Sequence, residues 1–287
     1  MTIVFALCGL LCAAVNDFIM KLFARKKRSR GLFFSLVGIF WAGACFLMPM
    51  DHTRWKMTLI WGCAAGFFSI VANLLLIESM RPLSAGICST IYRLNLVPVA
   101  ILACFLPYLN ETITWYNAVG IVCAAVAVLC FMSKPGEHNK HASVARRAVT
   151  LGLFMVITAS FLRAGQGLSS KYANVFEADI GGVMLVNAAF WIVGGLLYAL
   201  VRERNLMKMD SPMIGYSVIA GMFVFGIIFF MLESTKGGNA AVVLPLQQMS
   251  FPVTLLLSVI FLHEKVTRAK LAGIVCSIAA VILLCLD

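Results

Sequence analysis

The sequence predicts an all-α integral membrane protein of ten transmembrane helices, arranged as two inverted five-helix repeats. Three observations predict it. Apolar segments long enough to cross a bilayer recur along the chain. Matching residues recur between its two halves at an offset of roughly 150 positions, the signature of an internal repeat. Lys and Arg gather in alternate loops, and the alternation is reversed in the second half.

Hydrophobic residues make up 62% of the 287 and charged residues only 12%. A soluble domain carries about 25% charged residues. A water-soluble fold of this size has too little polar surface to cover so much apolar surface, so lipid must be the solvent for most of it. The formal net charge of +11 would suggest a nucleic-acid partner in a soluble protein. Here the cations sit in short clusters between apolar runs, which is an orientation signal, and no nucleic acid is expected. The ten cysteines include no CxxC pair and fall mostly inside apolar runs, where they read as small packing residues.

Crossing ~30 Å of hydrocarbon at 1.5 Å per residue takes roughly 20 residues. Segments of that length fall near 2–24, 31–50, 57–80, 83–108 and 114–133, then 148–172, 180–201, 212–234, 239–262 and 267–286. The first run ends in Lys21, Arg25 and Lys26 rather than in a small-residue cleavage site, so it reads as a retained helix. Arg81-Pro82 separates the third span from the fourth, and Gly237-Gly238 separates the eighth from the ninth. Thr114 and Thr267 are placed to cap the fifth and tenth spans, each with an acid just before it, Glu111 and Glu264. The polar stretch 134–147 is too short for a soluble domain. The chain therefore divides into a first repeat (1–133), a linker (134–147) and a second repeat (148–287).

The repeat is visible in the letters. Ile77-Glu78-Ser79 is echoed by Leu232-Glu233-Ser234, Pro98 by Pro252, and Glu111 by Glu264. Gly120-Ile121-Val122-Cys123 recurs as Gly273-Ile274-Val275-Cys276, and Lys21 matches Lys171. Five is odd, so the second copy must run opposite to the first. The loop 25–30 holds five cations, whereas its counterpart holds Glu177 and Asp179. Seventeen of the 23 Lys and Arg fall on one side, four on the other, and Arg93 and Arg163 lie inside spans. The positive-inside rule makes the basic side cytoplasmic, which puts both termini outside and the 134–147 linker inside. In a bacterium this is a multi-pass inner-membrane protein.

These features resemble the drug/metabolite transporter superfamily, specifically its ten-helix EamA-type members. The resemblance covers nearly the whole chain. It rests on the duplicated five-span unit, and in each copy on a proline in the fourth span (Pro98, Pro252), an acid in the following turn (Glu111, Glu264) and a Gly-led final span (Gly120, Gly273). It implies transport of metabolites, often export of amino acids or related compounds, through a central cavity reached alternately from each side.

The candidate binding residues follow from the cost of ionisable groups in lipid, which normally face a cavity or a partner. Arg93 lies about 16 Å and Arg163 about 22 Å along their helices from the basic side, near the midplane. Asp17 is the one acid at comparable depth and can neutralise only one of them. The other guanidinium favours an anionic group on the solute. Tyr92, Arg93 and Asn95 cluster on the fourth span, and the equivalent stretch of the ninth holds Gln247 and Gln248. Asn16, Asp17 and Lys21 line one face of the first span; Arg163, Gln166 and Lys171 line the sixth. Asn73 and Asn187 are single amides that serve equally as packing contacts. Asp17 reads either as a mate for Arg93 or as a proton carrier. Lys21 and Lys171 read as side chains reaching for the headgroups.

His263-Glu264 lacks the second histidine of HExxH, and no P-loop is present, so neither metal-dependent nor nucleotide-driven chemistry is expected. The sequence predicts no enzyme and no cofactor. The expected partners are the bilayer, a small anionic or zwitterionic solute such as an amino acid or organic acid, and a proton if Asp17 carries one. Two other readings stand beside this one: proton-coupled efflux of cationic or hydrophobic drugs, and a non-transporting receptor. Small residues at four-residue spacing (Gly62/Gly66, Gly120/Ala124, Gly273/Ser277) predict close helix packing within or between chains, which leaves monomer and homodimer both open.

Overall fold

A computed structural model describes residues 2–47, 54–103, 105–106, 114–132, 141–204, 209–235, 246, 248–264 and 266–284. Its regular elements are all helical. In the first half they are α1 (Thr2–Ala24), α2 (Arg30–Cys45), α3 (Trp55–Ser79), α4 (Ala85–Arg93), α5 (Leu96–Ala103) and α6 (Trp115–Met132). The second half contains α7 (His141–Val175), α8 (Ile180–Arg202), α9 (Ser211–Thr235), α10 (Ser250–Leu262) and α11 (Arg268–Leu284). Five helical stretches are by themselves long and apolar enough to cross a bilayer: Ile3–Ala24, Trp55–Ser79, Arg147–Val175, Ile180–Arg202 and Ser211–Phe230. Large apolar side chains such as Val201, Phe154, Val122 and Leu129 point outward, as expected where the surroundings are lipid.

Local chemistry sets the element ends. Ser29 accepts the Leu32 N–H and caps α2; Asp179, its equivalent at an offset of 150, accepts the Gly182 N–H at 2.7 Å and caps α8. Thr114 and Thr267 accept from Asn117 and Lys270 and cap α6 and α11, as the sequence predicts. The fourth span is not the single helix expected over 83–108. It breaks at Leu94-Asn95, because Pro98 supplies no N–H to the Leu94 carbonyl and its ring crowds that carbonyl. The Leu94 carbonyl is taken instead by the Val97 N–H at 3.0 Å. Pro252 stands in the same relation to a turn at Met249, so the fault recurs in the second half. Helix α7 begins at His141, earlier than the 148 read from the sequence.

The contacts show both the duplication and the inversion. Exchange the halves, span for span, and the principal helix contacts map onto themselves. The α3–α7 pair becomes α9–α1, α3–α8 becomes α9–α2, and α4–α7 becomes α10–α1; α2–α8, α4–α10 and α6–α11 map to themselves. At one end of the bundle lie the end of α1, both edges of the α3–α4 turn, the start of α2, the end of α8, the start of α9 and the end of α10. Contacts from Lys21 to Met80 and Leu83, from Arg30 to Glu78 and Glu203, from Arg28 to Asp210 and from Glu264 to Ala85 bring them together. At the other end the start of α3 meets the end of α7 and the start of α8, through Arg54–Glu177 and the bond from Asp179 N to Thr58 Oγ1. Thus α1 ends where the basic residues are and its equivalent α7 ends opposite; α2 and α8, like α3 and α9, are likewise reversed.

Packing is tightest where α2 crosses α8. A Cβ on Gly195 would lie 2.6 Å from the Gly31 carbonyl oxygen and 2.8 Å from the Ser35 nitrogen. Nearby, Trp191 packs edge-on to Trp41 and Phe34 and donates to Ser69 Oγ at 2.9 Å. Overpacking against flexible side chains costs about 1–3 kcal/mol, and backbone yields less readily. Gly195→Leu is therefore expected to abolish monodisperse extraction in detergent, while Gly43→Leu, with nothing within 4 Å of its would-be Cβ, leaves the elution profile unchanged. The glycine-led contacts of the fifth and tenth spans are internal: Gly120 faces Leu283, Leu284 and Ala280, and Gly273 faces Phe131.

Candidate functional site: a polar centre among α1, α3, α4, α7 and α10

Helix α4 brings the centre together. It carries Ser89, Tyr92 and Arg93 on one face, by i, i+3 and i+4 spacing. Asp17 of α1, 2% exposed, accepts from Ser89 Oγ at 2.7 Å and lies 3.5 Å from the Arg93 guanidinium. Of the two readings of Asp17, the structure shows the mate for Arg93. Ser89 was missed in the sequence; its place one turn before Arg93 was the available signal.

Arg163 reaches the same centre from α7. Its guanidinium sits over the Tyr92 ring, 5.8 Å from the centroid, and is hydrogen-bonded to Gln166 one turn on. Among the described residues no carboxylate lies within ion-pair distance of it. Among the described residues the centre therefore holds two cations and one acid. Gln166 is the repeat equivalent of Asn16, so each half contributes an amide at this position.

Other predicted residues gather around this core. Asn73 of α3 is buried and donates to Ser69 O at 2.8 Å, with the Tyr92 hydroxyl beside it. Asn95 is buried at the break between α4 and α5. Gln248 stands at the matching break before α10, which packs on both α1 and α4. Gln247 lies outside the described residues. Asn16 donates to Met20 Sδ, but among the described residues its Oδ1 is buried without a partner, as are Arg93 Nε and Gln248 Oε1. Buried polar atoms are normally paired, so a group of orphans beside broken helices fits a place where a polar solute finds its partners. Asn187 is apart, on α8, with an orphaned Oδ1 of its own.

Three side chains behave otherwise than their positions suggest. Lys21 does not extend to the headgroups. It is 8% exposed, donates to the carbonyls of Met80 and Leu83, and lies 3.9 Å from Glu264. The end of α3 offers unpaired carbonyls, and a lysine within reach is better used there than in lipid. Glu264 serves a helix other than the one it precedes: it accepts from the Ala85 N–H at the start of α4, across the two halves. Arg30, read as one of the loop cations, is 5% exposed and paired with both Glu78 and Glu203. Glu203 also accepts from Ser29 Oγ and Gly31 N, and Glu78 from Tyr198 Oη at 2.9 Å.

The EamA-like transporter family model matches residues 1–133 and again 150–286. A solved crystal structure superposes with a TM-score of 0.63 over 98% of this chain and 95% of that one; at 13% identity the likeness is one of fold alone. An uncharacterized protein of Methanocaldococcus jannaschii is 29% identical over 100 residues, which are 33% of this chain and 73% of that one. Two successive matches to one transporter model, on a fold in which the two halves exchange contacts, place the sequence: the chain belongs to the EamA-like transporter family.

Proposed function

We propose that the chain is a secondary transporter that moves a small anionic or zwitterionic metabolite, such as an amino acid or related organic acid, by alternating access. The observation that carries this reading is the charge count at the centre. Asp17 answers Arg93, and Arg163 stands over Tyr92 with an amide for company. A buried or half-buried guanidinium is stabilised most by a carboxylate or phosphate that fits its planar fork. In the proposed site Arg163 takes the anionic group, Asn16, Asn73, Asn95, Gln166, Gln247 and Gln248 supply neutral donors and acceptors, and the Asp17–Arg93 pair sets the wall. The broken fourth and ninth spans supply backbone groups from both halves.

The basic end faces the cytoplasm in this reading, with residues 134–147 as a cytoplasmic linker and both termini outside. Cysteine accessibility at residue 287 from outside tests the orientation, and labelling only after permeabilisation refutes it. Flux in proteoliposomes of the purified chain tests the function. Saturable movement of one class of carboxylate is expected; binding without flux would make the protein a receptor. Proton-coupled efflux of cationic drugs would use Asp17 as the acid of the site, yet Asp17 is already engaged by Ser89 Oγ and Arg93. Cells carrying Asp17→Asn are therefore expected to accumulate cationic dyes as the parent cells do; dye resistance lost on that substitution would favour drug efflux.

A further inference from the structure

A cavity of about 640 Å³ lies at the basic end, apart from the polar centre. Its floor is Leu74 and Leu75 of α3, and Met155 of α7 forms one wall. At 100° per residue, Leu74, Leu75 and Glu78 stand about 100°, 200° and 140° around α3 from Asn73. The cavity therefore opens on the face of α3 turned away from the candidate site. Helices α7 and α8 join at the opposite end and both pack on α3, so α3 floors the space between them.

The rim is cationic. Lys27, Arg30, Arg81 and Arg202 line the cavity against two carboxylates, Glu78 and Glu203. Those two acids are already engaged: Glu203 by Arg30, Ser29 and the Gly31 amide, Glu78 by Arg30 and Tyr198. Arg81 reaches Glu78 only at 3.8 Å, and Lys27 and Arg202 have no carboxylate within ion-pair distance among the described residues. Arg30 is 5% exposed, and among the described residues its Nε is buried without a partner. An adjoining cavity of about 390 Å³ shares Lys27 and Arg81, adds Lys21, Arg25 and Lys26, and has no acid among the described residues of its lining.

We propose that this cationic cavity binds the headgroup of an anionic phospholipid. A dissolved anion would use the cations but gain nothing from Leu74, Leu75 and Met155. A lipid uses both, with its phosphate at Lys27, Arg81 and Arg202 and the start of an acyl chain on the apolar floor. The location suits it, since this end carries the juxtamembrane cations that attract anionic headgroups. The proposal is independent of what the central site carries.

The test is lipid retention by the purified full-length chain in detergent, counted by native mass spectrometry. Phosphatidylglycerol and phosphatidylethanolamine are offered separately, and then phosphatidylglycerol against millimolar inorganic phosphate. Each headgroup-level cation contributes roughly fivefold, so Lys27→Gln with Arg202→Gln should weaken phosphatidylglycerol binding about 25-fold. Both side chains are exposed and serve no buried contact, so the double variant is expected to elute as the parent does. Preference for phosphatidylglycerol, lost in the double variant and resistant to phosphate, supports the site. Equal retention of the two lipids, an unchanged preference in the variant, or displacement by phosphate would overturn it.

Discussion

Replacing Arg163 by glutamine is expected to weaken solute binding roughly ten- to hundredfold, the range lost with one charge-assisted hydrogen-bonding partner. Elution and melting should change little. Arg163 is only half-buried, its one described hydrogen bond goes to Gln166, and no carboxylate is left unpaired when it is removed. Arg163→Lys separates charge from shape. A lysine keeps the charge but loses the two-pronged grip on a carboxylate and the guanidinium over Tyr92, so it should restore only part of the affinity. Counterflow of the transported carboxylate in proteoliposomes measures all three proteins. Unchanged apparent affinity in Arg163→Gln would remove the guanidinium from the site and with it the argument for an anionic solute.

The second large effect lies in stability. Glu203→Ala is expected to destabilise the chain by about 3 kcal/mol, read as a lower melting temperature in detergent. Removing one member of a buried ion pair costs about 3–5 kcal/mol because the other charge is left without its partner. The lower figure applies because Arg30 keeps Glu78. Three groups lose an acceptor at once: the Arg30 guanidinium, Ser29 Oγ and the Gly31 amide. Glu177→Ala removes an acid from an ion pair of which both members are more than half exposed, and it is expected to change melting little.

Most of the architecture could be read from the chain before any coordinates, because lipid imposes a length on apolar runs and a duplicated unit repeats its punctuation. Pro98 and Pro252 were legible as letters. That each would split its span was not, since a proline in a membrane helix can also be absorbed as a bend; the outcome depends on whether Val97 can take the freed Leu94 carbonyl. That Asp17 could answer one of the two arginines was legible from depth; that it meets Arg93 shows only in the contact itself. The fate of Lys21 was not, because its carbonyl partners lie about sixty positions later and nothing local announces them. The same holds for Arg30 and Glu203: one looked like part of a basic loop, and the other drew no reading at all. Long-range pairings at helix ends carry no periodic signal.

The reversal of the halves has an energetic corollary. Were the two copies identical, a form gaping at one mouth and a form gaping at the other would be degenerate, interchanged by the pseudo-dyad. Any resting bias must then arise where the copies have diverged. Lys21 and Glu264 span the basic mouth under cover, whereas Arg54 and Glu177 meet in the open at the other. Solvent screens the second pair far more than the first, but Lys21 and Glu264 recur in the other copy as Lys171 and Glu111; the divergence is at Glu177, whose counterpart is Lys27, so the Arg54–Glu177 contact is where a resting bias is to be sought.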